Sequence, residues 1–153
     1  MEIKATLKVI NQASVEGKEG VIPEQSMKRL VGCPEVPSDR IRVGLASYKP
    51  GAIEALHWHP IEGFYFVLSG HATVRDYEGK EYDVGPGTAI YAPAGIAGAH
   101  EWEVKESLEL LDIRATNETN RKIQYTVDKK TMRSYIDVED LAYREAISFK
   151  SHY

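Results

Sequence analysis

The sequence predicts an all-β fold that closes into a jelly-roll barrel. From residue 41 onward, short apolar or alternating runs follow one another at regular intervals, and turns containing glycine or proline separate them. Such spacing is typical of β-sandwiches and barrels. The 153 residues have the length of one domain. We therefore expect a single domain, with N-terminal strands and loops over 1–39, a barrel over 40–127 and a C-terminal extension over 128–153.

The positions of individual strands follow from the alternation of apolar and polar residues. Residues 3–10 and 40–48 alternate in this way, and Met27–Val31 is a candidate for a further short strand. Turn-forming residues in Tyr77–Lys80 and Val84–Gly87 indicate tight connections. The strands predicted in the barrel cover residues 41–48, 53–59, 63–69, 71–77, 88–92, 98–104, 107–115 and 121–127.

A short C-terminal helix is expected between Asp137 and Ile147. Asp137 is an acidic residue of the kind that caps a helix N-terminus, and Val138, Leu141 and Ala142 stand near helical spacing with Ile147. Such a helix would pack on its own barrel or across a neighbouring copy. The sequence leaves both arrangements open.

Composition argues against several classes of function. The formal net charge of −4 speaks against a nucleic-acid surface. Phe64–Leu68, one of the longest apolar runs, is far too short to span a bilayer. Cys33 is the sole cysteine, so no intrachain disulfide can form, and the N-terminus lacks the pattern of a signal peptide. We expect a cytoplasmic protein that binds a small molecule rather than nucleic acid or membrane.

The segment His57-Trp58-His59 predicts a metal site. Side chains alternate between the two faces of a strand, so His57 and His59 point to the same face and can meet one ion, while Trp58 points away. Imidazole nitrogens are common ligands of transition metals. His71 and His152 are interpreted as surface histidines.

The surrounding sequence resembles the cupin superfamily. The two motifs of that family have the forms G-x5-H-x-H-x(3,4)-E-x6-G and G-x5-P-x-G-x2-H. The matching residues here are Gly51, His57, His59 and Gly70 for the first motif, and Gly87, Pro93 and Gly95 for the second. The resemblance covers about residues 40–116 and implies a cupin barrel, which commonly pairs through its sheets. We therefore expect a homodimer.

Two positions depart from the family pattern. The metal-binding glutamate of the first motif would fall at Gly63, with Glu62 one residue early, and the last histidine would fall at Gly98, with His100 two residues late. A shift of two keeps His100 on the same face, whereas a shift of one turns Glu62 away unless a turn resets the strand. We expect His57, His59 and His100 to bind one metal, with Glu62 at or beyond the edge of the site.

Further candidates line the expected pocket. Tyr65, Val67 and Tyr91 are candidates for its wall, and Glu62 and Tyr65 are the candidate catalytic residues. Other carboxylates nearby are interpreted as solvated strand positions, although any of them could orient an imidazole or act as a general base. These are Glu54, Glu101 and Glu103.

The ligand pattern resembles the three-histidine cupins, among them the acetylacetone-cleaving diketone dioxygenases. This resemblance implies an Fe(II) dioxygenase that cleaves a C–C bond in a small diketone or hydroxy-ketone. Zn(II), Ni(II) or Mn(II) would fit the same ligands. The alternatives are a zinc or nickel isomerase, lyase or polyketide cyclase, and a cupin that binds a small molecule without catalysis.

Overall fold

Twelve β-strands run through the part of the chain that the computed structural model describes, which is residues 1–116, 123–136 and 139. In chain order they are β1 (Lys18–Glu19), β2 (Gln25–Val31), β3 (Arg42–Tyr48), β4 (Ile53–Trp58), β5 (Gly63–Ser69), β6 (Ala72–Asp76), β7 (Glu81–Val84), β8 (Ala89–Ala92), β9 (His100–Val104), β10 (Leu108–Arg114), β11 (Tyr125–Asp128) and β12 (Arg133–Ser134). The expected all-β fold is confirmed.

The strands form two six-stranded sheets whose neighbours pair antiparallel. The spatial order is β1-β2-β3-β10-β5-β8 in the first sheet and β12-β11-β4-β9-β6-β7 in the second. β10 lies between β3 and β5 although many residues separate it from both in sequence. Long connections that carry strands between two facing sheets are the mark of a jelly roll.

The main core fills the space between the two sheets. In β5 the buried residues alternate with half-buried ones, so that Tyr65 and Val67 point inward. Trp102 reaches them from β9 in the opposite sheet, and Leu110 lies beside them on β10. Val67 and Leu110 are 0% exposed and Trp102 is 1% exposed. This apolar interior continues to the end of the barrel where the histidines lie.

Trp58 belongs to a second, smaller apolar cluster. Its ring stacks on Tyr125 with the centroids 4.9 Å apart, and its indole N–H donates to the Ser134 hydroxyl at 2.9 Å. Leu56 and Val127 complete the contact. Trp58 therefore points away from its neighbouring histidines, as the strand alternation predicts.

Gly70 shows why the first motif ends in glycine. Its φ of 83° is in the left-handed region, and a Cβ at this position would lie 2.0 Å from the carbonyl oxygen of Ser107. Any side chain would collide with the backbone of the β9–β10 connection. Glycine at this turn lets β5 and β6 follow each other closely.

The strand predicted over residues 3–10 is wrong. These residues have no secondary structure, and the side chains of Ile3, Leu7 and Val9 are 92%, 87% and 91% exposed. A strand needs a partner for its backbone hydrogen bonds, and alternation in the sequence does not reveal whether one is available. The hairpin predicted at Tyr77–Lys80 is present and leads into β7.

Two predicted elements reach beyond the described residues. The strand predicted over 121–127 is observed as β11, and its first two residues lie outside them. The helix predicted over 137–147 also lies outside them, apart from Glu139. Among the helices that the structure describes, none has the length and apolar character needed to cross a membrane.

Candidate metal centre

Three imidazoles from two neighbouring strands meet at one end of the barrel. His57 lies near the end of β4, His59 follows that strand, and His100 begins β9. His57 and His100 stand directly opposite each other in the register of β4 and β9. One ring nitrogen of each histidine lies within 4.8 Å of those of the other two. The structure thus brings together the three histidines that the sequence nominates as ligands.

A tight turn places His100 in this group. Gly95 has a φ of 95°, and a 3-10 turn over Ile96–Gly98 follows it. A Cβ on Gly98 would lie 2.1 Å from the carbonyl oxygen of Pro93, so the turn requires glycine there. This compact turn absorbs the two-residue displacement of His100 from the motif position.

A backbone carbonyl fixes the orientation of each of the three rings. The Nδ1 atom of His57 lies 2.7 Å from the carbonyl oxygen of Ala55, and that of His100 lies 2.9 Å from the carbonyl oxygen of Gly98. The Nδ1 atom of His59 makes the same kind of contact with Ile123. Because a carbonyl oxygen only accepts, each Nδ1 donates its hydrogen. Each neutral ring then carries its lone pair on Nε2, the nitrogen that would bind a metal.

The surroundings keep these rings neutral. His57, His59 and His100 are 1%, 3% and 4% exposed. Burial lowers the pKa of each imidazole from its usual value, and the Arg114 charge lowers the pKa of His59 further. A neutral imidazole is the form that ligates a metal. The donor set therefore fits a divalent transition metal, held by the Nε2 atoms of His57, His59 and His100.

Tyr65 is the inward residue of β5 that touches this group. Its hydroxyl oxygen lies 3.2 Å from Nε2 of His59 and 2.9 Å from Nε2 of His100. Burial is the main cause that raises the pKa of this phenol far above its usual value, so the hydroxyl keeps its proton. Tyr65 thus lines the metal position, as the sequence predicts for the pocket wall.

Arg114 is a site residue that the sequence analysis does not nominate. It ends β10, is 5% exposed, and donates from Nη2 to the Tyr65 hydroxyl at 2.6 Å. The same nitrogen lies 3.3 Å from Nε2 of His59. Burial lowers the pKa of Arg114, but its contacts with Tyr65 and Asp112 outweigh burial and raise the pKa above the usual value. Arg114 therefore places a permanent positive charge beside the histidines.

Gly63 provides the space that Arg114 occupies. The two residues face each other across the β5–β10 pair. A Cβ on Gly63 would lie 2.5 Å from Nη1 of Arg114. At the position where the cupin motif has its glutamate, this chain therefore has a guanidinium from the neighbouring strand.

Glu62 and Tyr91 interact with each other rather than with the histidines. The Tyr91 hydroxyl donates to the Glu62 carboxylate at 2.7 Å, and Tyr91 is 59% exposed. Glu62 is not in the cluster of possible metal ligands found among the described residues. A shift of one residue turns Glu62 away from the interior. The expectation that Tyr91 lines the pocket is wrong, because it alternates with the inward residues of β8.

Glu54 is buried, which corrects its interpretation as a solvated residue. It is 6% exposed and lies 3.5 Å from Nε2 of His57. A bulge between Glu54 and His57 inserts an extra residue into β4, so both side chains face inward although they are three residues apart. The Tyr48 hydroxyl donates to Glu54 at 2.8 Å, and the Gln25 amide donates to Tyr48 at 2.6 Å. Alternation alone does not reveal such a bulge.

Glu101, Glu103 and His71 lie away from the metal position. Glu101 is 7% exposed, so its interpretation as a solvated residue is also wrong, and both Glu101 and Glu103 are paired with Arg75, at 3.2 and 2.7 Å. His71 is exposed and is paired with Glu106 at 3.1 Å, as expected of a surface histidine. None of the three contributes to the cluster around His57.

The segment of the chain that carries the three histidines matches a known family of domains. Residues 44–114 match the family described as "Cupin domain". A curated relative is the oxalate decarboxylase OxdC of Bacillus subtilis (strain 168), which is 40% identical over 52 residues. The match covers 31% of this chain and 14% of OxdC, so the chain aligns with a small part of that relative.

Solved structures share the fold over a larger part of the chain. The polyketide cyclase RemF from Streptomyces resistomycificus superposes with a TM-score of 0.68 at 20% identity, covering 81% of this chain and 89% of RemF. A mutant salicylate 1,2-dioxygenase from Pseudoaminobacter salicylatoxidans, in complex with gentisate, gives a TM-score of 0.55 at 16% identity, covering 62% of this chain and 26% of the dioxygenase. At these identities the likeness concerns the fold.

Proposed function

The chain carries a cupin domain, and on that premise we propose that it is a metal-dependent enzyme that uses Fe(II) and O2 to cleave a C–C bond in a small oxygen-chelating substrate. The observation that carries the proposal is the arrangement of His57, His59 and His100. Their Nδ1 atoms are held by carbonyls, which leaves Nε2 as the ligand atom of each ring, and one ring nitrogen of each lies within 4.8 Å of those of the other two.

The charge of the ligands favours an anionic substrate. Three neutral imidazoles cancel none of the charge of a divalent ion, and position 63 contributes no carboxylate. Arg114 adds a further positive charge on the His59 side. A 1,3-dicarbonyl or hydroxy-ketone that chelates through two oxygens as its enolate matches this field.

The chain's own residues bind and orient such a substrate. Tyr65 presents a protonated hydroxyl to the metal position, where it can donate to a substrate oxygen. Val67 and Trp102 form a dry wall behind it and exclude water from a reactive intermediate. When bound, Fe(II) would supply the O2 chemistry. With a 1,3-diketone, one O2 is consumed per C–C bond broken, and both oxygen atoms enter the products, a carboxylic acid and a 2-oxo-aldehyde.

We expect the iron-loaded protein to consume O2 with at least one chelating substrate. The measurement is O2 uptake by anaerobically prepared, iron-reconstituted protein over a panel of 1,3-diketones, hydroxyacetophenones and 2-oxo and 2-hydroxy acids, with a product assay for the acid. The zinc-loaded protein, which has the same ligands but no redox chemistry, is the matched control. The dioxygenase proposal fails if no compound increases O2 uptake above that of the zinc form.

A zinc or nickel lyase, isomerase or cyclase is the second candidate. Glu54 favours it, because a buried carboxylate 3.5 Å from Nε2 of His57 is within reach of a substrate proton. The likeness to the polyketide cyclase RemF adds that the same fold carries cyclase chemistry. Turnover of a hydration or cyclisation substrate by the zinc form, with no O2 uptake by the iron form, would select this candidate. Ligand binding without turnover by either form would indicate a binding protein.

The proposal of a homodimer rests on the N-terminal arm, residues 1–10. Ile3, Leu7 and Val9 are almost fully exposed and would share one side of the arm if it paired as a strand. Pairing of this arm with a second copy would cover these side chains and satisfy the backbone of a sheet edge.

We expect Leu7→Asp to shift the protein from dimer to monomer. The new carboxylate would have to be buried in the pairing surface, which is costly. The measurement is the mass by light scattering at micromolar concentration, relative to the chain mass of 17.2 kDa. Thr6→Asp, on the other side of the arm, is the control and should leave the dimer intact. A monomeric wild-type protein would refute the proposal.

A further inference from the structure

Arg114 retains hydrogen-bond donors that nothing in the described part of the chain uses. The residue is 5% exposed, and its Nε and Nη1 atoms make no hydrogen bond to any described residue. Nη1 lies 2.9 Å from Asp112 Oδ1, an ion pair that offsets charge without completing a hydrogen bond. Buried charged groups are normally hydrogen-bonded throughout, because an unmet donor costs free energy. These donors therefore indicate an acceptor that enters from outside.

The position of the guanidinium defines where that acceptor would lie. The Cζ atom of Arg114 is 4.6 Å from the centroid of the Tyr65 ring, and Nη2 contacts both the Tyr65 hydroxyl and Nε2 of His59. An anion held by Arg114 would thus stand next to the metal position. A second oxygen of the same ligand would then lie on the His59 side, where the three histidines would hold the ion.

We propose that Arg114 and Tyr65 form a carboxylate subsite, and that the substrate is a small 2-oxo or 2-hydroxy carboxylate. The planar fork of a guanidinium matches the two oxygens of a carboxylate better than it matches a neutral carbonyl. A neutral diketone would offer the Arg114 guanidinium only carbonyl oxygens, whereas a carboxylate adds a charge-assisted pair of hydrogen bonds. The subsite deepens the proposed function, since the second oxygen of the ligand is directed to the proposed metal.

Gly63 is part of this subsite because it leaves room for Arg114. The Cβ of an alanine at position 63 would fall 2.5 Å from Nη1, so Gly63→Ala would displace the guanidinium without removing its charge. The conventional glutamate at this position would displace it further and would add a competing negative charge.

The test compares two probes of the same shape. Pyruvate carries a carboxylate where pyruvamide carries a neutral amide. We expect the zinc-loaded wild-type protein to bind pyruvate at least about tenfold more tightly than pyruvamide in isothermal titration calorimetry, because a charge-assisted pair is lost with the neutral probe. Zinc excludes O2-dependent turnover during the measurement, and metal content is measured on the same samples.

Two variants and one control locate the effect. Arg114→Gln should abolish the preference for pyruvate over the neutral probe while retaining the wild-type metal content. Gly63→Ala should reduce the same preference. Arg40→Gln, at an exposed arginine, should behave as the wild type. If Arg114→Gln does not fold, Gly63→Ala tests the role of Arg114 in the pyruvate preference, because this variant removes no polar group.

The outcomes separate the subsite from the metal centre. Equal binding of the two probes by a fully metal-loaded wild-type protein would overturn the subsite and leave the metal-centre proposal standing. An unchanged pyruvate preference in folded Arg114→Gln would also overturn it. Pyruvate binding that depends on Arg114 and is equally tight with and without metal would support the subsite and contradict the contact between the ligand and the metal.

Discussion

Replacing His100 with alanine is expected to lower the metal affinity of the protein by more than about 100-fold. Loss of a partner that only orients a metal ligand already costs about 10–100-fold, and this change removes a ligand itself. The two remaining imidazoles, His57 and His59, would leave the ion with an incomplete protein shell. The measurement is metal content after dialysis, together with competition against a chromogenic chelator.

His71→Ala is the matched control for this prediction. His71 belongs to the same residue type but is exposed and is paired with Glu106, so its loss should leave metal affinity unchanged. Circular dichroism would show whether each variant keeps its β-structure. Wild-type metal occupancy in His100→Ala would contradict the three-histidine site. The Glu54 carboxylate would then be the next candidate ligand.

Leu110→Ala is expected to reduce the free energy of unfolding by about 3–5 kcal/mol, a large part of the stability of an ordinary domain. Leu110 is 0% exposed on β10, the strand that joins β3 to β5 and ends in Arg114. Truncation removes apolar contacts and leaves a cavity between rigid sheets that cannot close it. The measurement is the free energy of unfolding from urea titration. The comparison with the wild type holds when both proteins show the same slope of free energy against urea concentration.

Leu68→Ala is the same chemical change at a position that is 40% exposed. It should cost about 1 kcal/mol or less, because little apolar surface returns to water and no cavity forms. Similar losses in both variants would mean that the interior between the two sheets is not the main source of stability.

The interior places opposite charges on the two sides of the histidines. Glu54 lies against His57, with Tyr48 and Gln25 behind it, while Arg114 lies against His59 with Asp112 behind it. A substrate that binds between them would meet a carboxylate on one side and a guanidinium on the other. Such a field would orient a ligand that has one anionic end and one end able to release a proton.

Features that depend on local spacing were predictable from the sequence. The period of two in a strand placed His57 and His59 on one face and kept His100 on that face after a shift of two residues. The same period predicted that Tyr65 points inward and that Glu62 turns away. Glycines in the turns marked strand ends, because only glycine tolerates the backbone at positions such as Gly70.

Features that depend on pairing between distant segments were not predictable from one sequence. Arg114 reaches the histidines because β10 pairs with β5. This pairing puts Arg114 opposite Gly63, a residue 51 positions earlier in the sequence. Glu54 faces inward because of a bulge that appears only when β4 is aligned with β9. Residues 3–10 alternate like a strand, yet no neighbouring strand within the described chain pairs with them.

The sequence by itself determined the β-rich fold, the positions of most strands and the three histidines, because each follows from the side-chain period of a strand and the backbone needs of a turn. Only the tertiary structure decided the charges around those histidines. Register and bulges bring side chains from separate strands together, and no local pattern in the sequence records which strands become neighbours.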